Sequence, residues 1–345
     1  MVALALNVGA CSDDTPTADT STTTAAAGTS ASDANAPATT SPHATAAPTL
    51  TIEAFPVPAG SGPHDVSPAL DGNVWFTAQR SGRLGLLDPA TGESTMIDLG
   101  DGSRPHGVIT GSDGAAWVTD SGRNSIKRVE PSTFAVTEYP LPGEAGGANL
   151  NTAAFADDAV LWFTGQEGWY GKVADGAVEV YRAPRGRGPY GITVTPRGEI
   201  YFASLAGSYV GRVDGATGDA AVLEPPVPGQ GARRVWSDSD GRVWVSAWNS
   251  GDVFVYDPSL DQWRSWRLPG DQPQPYAVFV DDTDAVWLSD FGSNALVRFD
   301  PATETFTSVA LPSENGQVRQ LHGRPGEVWG AESAADQLVV VRTAR

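Results

Sequence analysis

One short pattern recurs seven times along the chain and constrains what the rest can fold into. Its first copy is Val74-Trp75-Phe76-Thr77, and the tryptophan returns at Trp117, Trp162, Trp244, Trp287 and Trp329, with Tyr201 in the remaining place. Successive anchors are 42, 45, 39, 43, 43 and 42 residues apart. A fixed period in this range means one supersecondary unit copied about an axis. Each anchor lies in a short β-rich run (VWFTA, AWVTD, LWFTG, IYFAS, VWVSA, VWLSD, VWGAE), so the unit is a small sheet. Seven sheets around a channel make a propeller. The predicted fold is all-β: a seven-bladed β-propeller of four-stranded antiparallel blades.

Residues 105–143 spell out one blade. A run from His106 to Thr110 is closed by Ser112-Asp113-Gly114, a hairpin signal. Ala116–Thr119, Ser125–Val129 and Ala135–Tyr139 follow, each ended by polar or proline-rich turns. Prolines at the end of the last run suit an edge strand, which need not donate to a further ladder. The seventh blade lacks its outer run, because the chain ends at Arg345 soon after Gln337–Arg342. The missing strand stands at the other end, as residues 50–58, and is expected to complete the C-terminal blade and close the ring. The propeller is therefore assigned to residues 50–345.

Residues 1–11 are apolar and end in Val8-Gly9-Ala10-Cys11, which resembles a bacterial lipoprotein signal with Cys11 as the lipidation site. An ordinary secretory signal is the alternative. Residues 12–49, rich in Thr, Ala, Ser and Pro, cannot bury enough apolar surface to offset their chain entropy and read as a disordered spacer. The expected location is extracytoplasmic, either secreted or membrane-anchored through the lipid alone. Net charge is −19, with 41 acidic residues against 22 basic ones, which speaks against a nucleic-acid partner. The single cysteine rules out an internal disulfide. The chain is expected to be a monomer.

In an up-and-down blade the start of the innermost strand and the end of the second strand meet at one mouth of the channel. The first set comprises His64, His106, Asn151, Tyr190, Arg233, Tyr276 and Arg319, the last assuming a one-residue deletion in that blade's hairpin. The second set includes the carboxylates Asp120, Asp290 and Glu332, and adjoining loops add Trp169, Tyr170, Trp248 and Phe291. A concave mouth with aromatic walls and convergent polar groups predicts a small-ligand site. His322, farther along an innermost strand, reads as structural.

The repeat Pro-His/Tyr-Gly-Ile/Val, then Asp-Gly-x-x-Trp-Phe-Thr, then Ile-Gly-Arg-Ile/Val, then Glu-Tyr-Pro-Leu-Pro resembles the streptogramin B lyase (virginiamycin B lyase) family. The closest passages are Pro63-His64…Asp71-Gly72-Asn73-Val74-Trp75-Phe76-Thr77, Arg104-Pro105-His106-Gly107-Val108-Ile109, Pro189-Tyr190-Gly191-Ile192-Thr193 and Tyr209-Val210-Gly211-Arg212-Val213. The resemblance implies a carbon–oxygen lyase that opens a cyclic depsipeptide at its ester by elimination, with Mg²⁺ polarising the carbonyl and a histidine as base. It implies His106 as that base and His64, His106 and Asp120 as metal holders. The mouth geometry itself points to Tyr190, Arg233, Tyr276, Arg319, Asp290, Glu332 and Trp248 as substrate-binding residues. This chain departs from the family at Arg104, where a glutamate is expected, and at Asn151, where a tyrosine is expected. Two other classes fit the same residues. One is a non-catalytic, surface-tethered propeller that binds a small molecule, sugar or peptide, with Arg233 and Arg319 anchoring an anionic group. The other is a metal-dependent hydrolase using Asp120, Asp290 and Glu332.

Overall fold

The computed structural model describes residues 49–156 and 160–343. They form seven antiparallel four-stranded sheets, each with its strands in simple sequential order but one. The exception is the closing blade, where Leu50–Pro56 pairs with Gln337–Thr343, outside Glu327–Glu332 and Val318–Arg324. The ring is closed by its two ends, as the missing outer run required. The segments assigned to the signal and most of the spacer, Cys11 included, lie outside the described residues.

The recurrent anchor has a packing reason. Trp75, Trp162, Trp244, Trp287 and Trp329 are fully buried between neighbouring blades. In three blades a carboxylate in the inner hairpin or at the start of the second strand accepts the indole N–H: Asp238 for Trp244 at 2.8 Å, Asp281 for Trp287 at 2.7 Å and Glu327 for Trp329 at 2.8 Å. The residue after the anchor sets its cross-strand partner by volume. Phe76, Phe163 and Phe202 face Gly85, Gly171 and Gly211 on the third strand. A Cβ on Gly85 would lie 2.0 Å from the Phe76 ring, so the ring occupies the space a side chain would need. Where the anchor is followed by Val118, Val245 or Leu288, the partner is larger: Lys127, Phe254 or Val297.

All seven inner hairpins carry a register shift near the start of the first strand, as between Pro63 and Val66. Such a bulge sets two residues against one and re-aims their side chains. The inner strands begin one residue earlier than the sequence suggested, at Pro63, Pro105, Leu150, Pro189, Ala232, Pro275 and Val318. The predicted mouth residues are thus each second in their strand, inside the bulge. In the seventh blade the inner hairpin tightens to a two-residue turn between Arg324 and Glu327, which accounts for the missing residue.

Candidate functional site

A belt of hydroxyls fixes the mouth residues. The Thr or Ser two places after the anchor accepts the amide of the bulged strand and donates to a carbonyl of the next blade. Thr77 accepts from Asp65 N (3.0 Å) and donates to His106 O (2.8 Å). Thr119 links Gly107 N to Asn151 O, and Thr164 links Thr152 N to Tyr190 O. Ser246 accepts from Arg234 N (3.0 Å) and donates to Tyr276 O (2.7 Å). The WFT signature therefore ends in the residue that positions the next blade's functional side chain.

Around the axis these side chains touch in sequence. The His64 and His106 rings lie 4.0 Å apart, His106 lies 5.9 Å from Tyr190, and Tyr190 lies 6.0 Å from Tyr276, their hydroxyls hydrogen-bonded. The Arg233 guanidinium sits 3.4 Å above Tyr276 and 4.6 Å from Trp248. Arg319 lies 5.8 Å from the Tyr276 ring, and Phe291 stacks on that ring at 5.0 Å. Asn151 turns sideways, donating to Asn149 O and accepting from Gln166.

The other predicted carboxylates are turned to their own loops. Asp120 accepts from the backbone amides of Arg104, Gly122 and Arg123, from Ser103, and lies 3.2 Å from Lys127 Nζ. Asp290 accepts from the amides of Gln274, Gly292 and Ser293 and from the Ser293 hydroxyl. Glu332 accepts from Gln337. The crossing between blades exposes unpaired backbone N–H groups, and Asp120 and Asp290 satisfy those beside them. Trp169 and Tyr170 likewise belong to a third strand and are buried in the core, away from the mouth.

A second set of residues, immediately after the first, was missed in the sequence. Asp65 and Arg234 form a buried pair across the channel, with Arg234 Nη2 2.8 Å and Nη1 3.3 Å from the carboxylate oxygens. Arg234 Nη1 also donates to Thr152 Oγ1 at 2.6 Å, and Gln320 Oε1 accepts from Val66 N at 2.9 Å. The signal was present: this position is glycine in Pro-His106-Gly107 and Pro-Tyr190-Gly191 but charged at Asp65 and Arg234. These groups make a floor. Above it opens a pocket of about 600 Å³ lined by His64, Gln79, Arg80, Arg104, Arg319 and Ser333. Below it a cavity of about 20 Å³ touches Asp65, Thr152, Gln320, Trp236 and His322. His322 packs between Trp236, tilted at 5.2 Å, and Phe279, edge-on at 5.8 Å, a packing role rather than a chemical one.

Electrostatically the mouth is positive in an acidic protein. Burial first, then Arg234, Arg319 and Arg233, holds His64 well below the usual histidine range. Burial and His64 do the same for His106. Burial would push the Tyr276 phenol up, but Arg233, Arg234 and the bond to Tyr190 hold it below its ordinary value. Among the described residues, the potential metal-ligand atoms of His64, Asp65 and His106 lie within 4.8 Å of one another, and Asp120 is outside that group.

Comparison with known proteins agrees with this architecture. Residues 29–261 match the family described as the virginiamycin B lyase family. A streptogramin B lyase structure superposes with a TM-score of 0.78 at 22% identity, covering 86% of this chain and 98% of the other. A virginiamycin B lyase from Staphylococcus aureus gives 0.79 at 17% identity, covering 86% and 100%. A catalytically inactive histidine-to-alanine variant of the S. aureus enzyme, solved with quinupristin, gives 0.79 at 18%, again covering 86% and 100%. No curated protein sequence matches the chain.

Proposed function

Because this chain belongs to the virginiamycin B lyase family, we propose that it is a carbon–oxygen lyase. It holds an ester-bearing small molecule or cyclic peptide at the axial mouth and opens it by elimination. The observation that carries this reading is the pair of buried imidazoles, His64 and His106, 4.0 Å apart, with His64 on the wall of an open pocket. Among the described residues His106 Nδ1 is buried without a partner, and a neutral imidazole can accept a proton. In the proposed step the proton on the carbon beside a carbonyl passes to His106. The C–H electrons form a carbon–carbon double bond, the bond from the β-carbon to the ester oxygen breaks, and the ester leaves as a carboxylate. Negative charge builds on the carbonyl oxygen, and Arg233 and Arg319, each with a buried Nε that has no partner among the described residues, are the donors suited to meet it.

Magnesium, implied by the resemblance, does not fit these residues. Mg²⁺ favours oxygen ligands in near-octahedral geometry. The group here offers two imidazoles and one carboxylate, and that carboxylate is already engaged by Arg234 and by His64 Nδ1. Arg104, where the family has a glutamate, adds positive charge at the pocket wall. No step is therefore routed through a metal.

A type B streptogramin is the first substrate to assay. Elimination gives a linear product of the same mass as the substrate, whereas the hydrolase alternative adds one water. The expected result is an isobaric product, formed in EDTA and reduced at least a hundredfold in His106→Ala. Undiminished turnover by His106→Ala refutes the assignment of the base. Export through residues 1–11 with lipidation at Cys11 is part of the same proposal. It predicts palmitate labelling that Cys11→Ser abolishes.

A further inference from the structure

The pocket above the histidines has a property that elimination does not require. Three guanidinium groups, Arg80, Arg104 and Arg319, line it together with Gln79, Ser333 and His64, and no carboxylate does. Among the described residues none of the three is paired with an acidic side chain, although arginines elsewhere are: Arg128 with Asp113, Arg212 with Glu199, Arg242 with Asp238 and Arg324 with Glu327. Carboxylates close by in sequence are engaged elsewhere: Asp65 by Arg234, Glu332 by Gln337, and Asp336 by the amides of Gly60 and Gly62. Arg319 Nη2 is held by Gln317 at 2.8 Å while its Nε stays buried without a partner. In a chain of net charge −19, three unpaired guanidiniums sharing one hollow form a local field opposite to that of the whole. A hollow of similar volume on the opposite face, about 580 Å³, is different: there Glu199, Asp214 and Asp219 surround Arg212.

We infer that this pocket is a recognition site for an oxyanion group, a carboxylate, phosphate or sulfate, carried by the protein's ligand. Guanidinium forks match such groups in bidentate geometry. Gln79 and Ser333 supply neutral polar groups beside the charged ones. The site stands whether or not elimination follows, since it uses Arg80 and Arg104, which have no part in the proposed proton transfer.

Isothermal titration calorimetry at low salt tests this with citrate, D-glucuronate, inorganic phosphate and sulfate, and with glucose as the neutral control. The expected result is saturable 1:1 binding of at least one anion, weakened tenfold or more by Arg104→Gln and by Arg319→Gln. Arg197→Gln, on a hairpin of the opposite face, leaves it unchanged, and glucose does not bind. A preference for citrate or glucuronate over phosphate and sulfate assigns a carboxylate ligand, and the reverse order a phosphoryl or sulfuryl one. Absence of saturable binding by every anion overturns the inference, as does equal weakening by Arg197→Gln. Anion binding with no turnover of any ester removes the lyase reading and leaves this one. Turnover of an uncharged cyclic ester without anion binding does the opposite.

Discussion

The floor of the mouth makes the sharpest prediction. Asp65 and Arg234 come from the first and fifth blades, and their side chains are 2% and 4% exposed. Asp65→Ala leaves a buried guanidinium with Thr152 as its remaining hydrogen-bond partner. Removing one member of a buried pair costs about 3–5 kcal/mol, because the other charge stays desolvated. For a ring of this size that corresponds to a fall in Tm of about 5–8 °C. Arg234→Met is expected to cost less, since His64 Nδ1 lies 2.7 Å from Asp65 and Arg234 is one of the groups holding that imidazole unprotonated. Without the arginine, His64 can charge and pair with Asp65, so this variant gains stability relative to wild type as pH falls below about 6.5. The double variant Asp65→Ala/Arg234→Met removes both charges and should cost less than the two single losses added together. Guanidinium denaturation followed by the fluorescence of the eleven tryptophans reads all four corners of the cycle. If Asp65→Ala costs less than about 1 kcal/mol, or if the single losses simply add in the double variant, the floor is not a coupled pair and the reasoning fails.

Three further outcomes follow from the same structure. Burial holds His322 down to about 4, so its contribution to stability is complete above its unfolded value near 6.5 and lost as pH falls toward 4. With a discount for the part of its ring that water can reach, that is about 2 kcal/mol, and His322→Phe should flatten the stability profile over that window; an unchanged slope counts against it. Gly85→Val places a side chain on the Phe76 ring and should cost at least about 1–3 kcal/mol. Adding Phe76→Val should restore part of the loss, and thermal melts showing no recovery would contradict the volume-matching account. Asp290→Ala strips the acceptor from three backbone amides and a hydroxyl and should destabilise by about 2–4 kcal/mol. Anion affinity in calorimetry should stay unchanged, whereas a carboxylate facing the anion would repel it, and its removal would raise the affinity.

Sequence by itself determined the ring. The spacing of six tryptophans and one tyrosine, the outer strand missing at one end and present at the other, and the position of His64, His106, Tyr190, Arg233, Tyr276 and Arg319 at one mouth are all properties of a one-dimensional repeat. Each blade must bury the same face against its neighbour, so the pattern is written once per blade. Tertiary structure alone decided which side chains meet. Asp65 and Arg234 are 169 positions apart and find each other only because a bulge in every inner strand turns the residue after the mouth position toward the axis. Asp120 and Asp290 looked like mouth carboxylates by position, yet the crossing loops present unpaired amides that claim them first. A repeat fixes where a side chain starts; the hydrogen bonds available on either side of it decide where it ends.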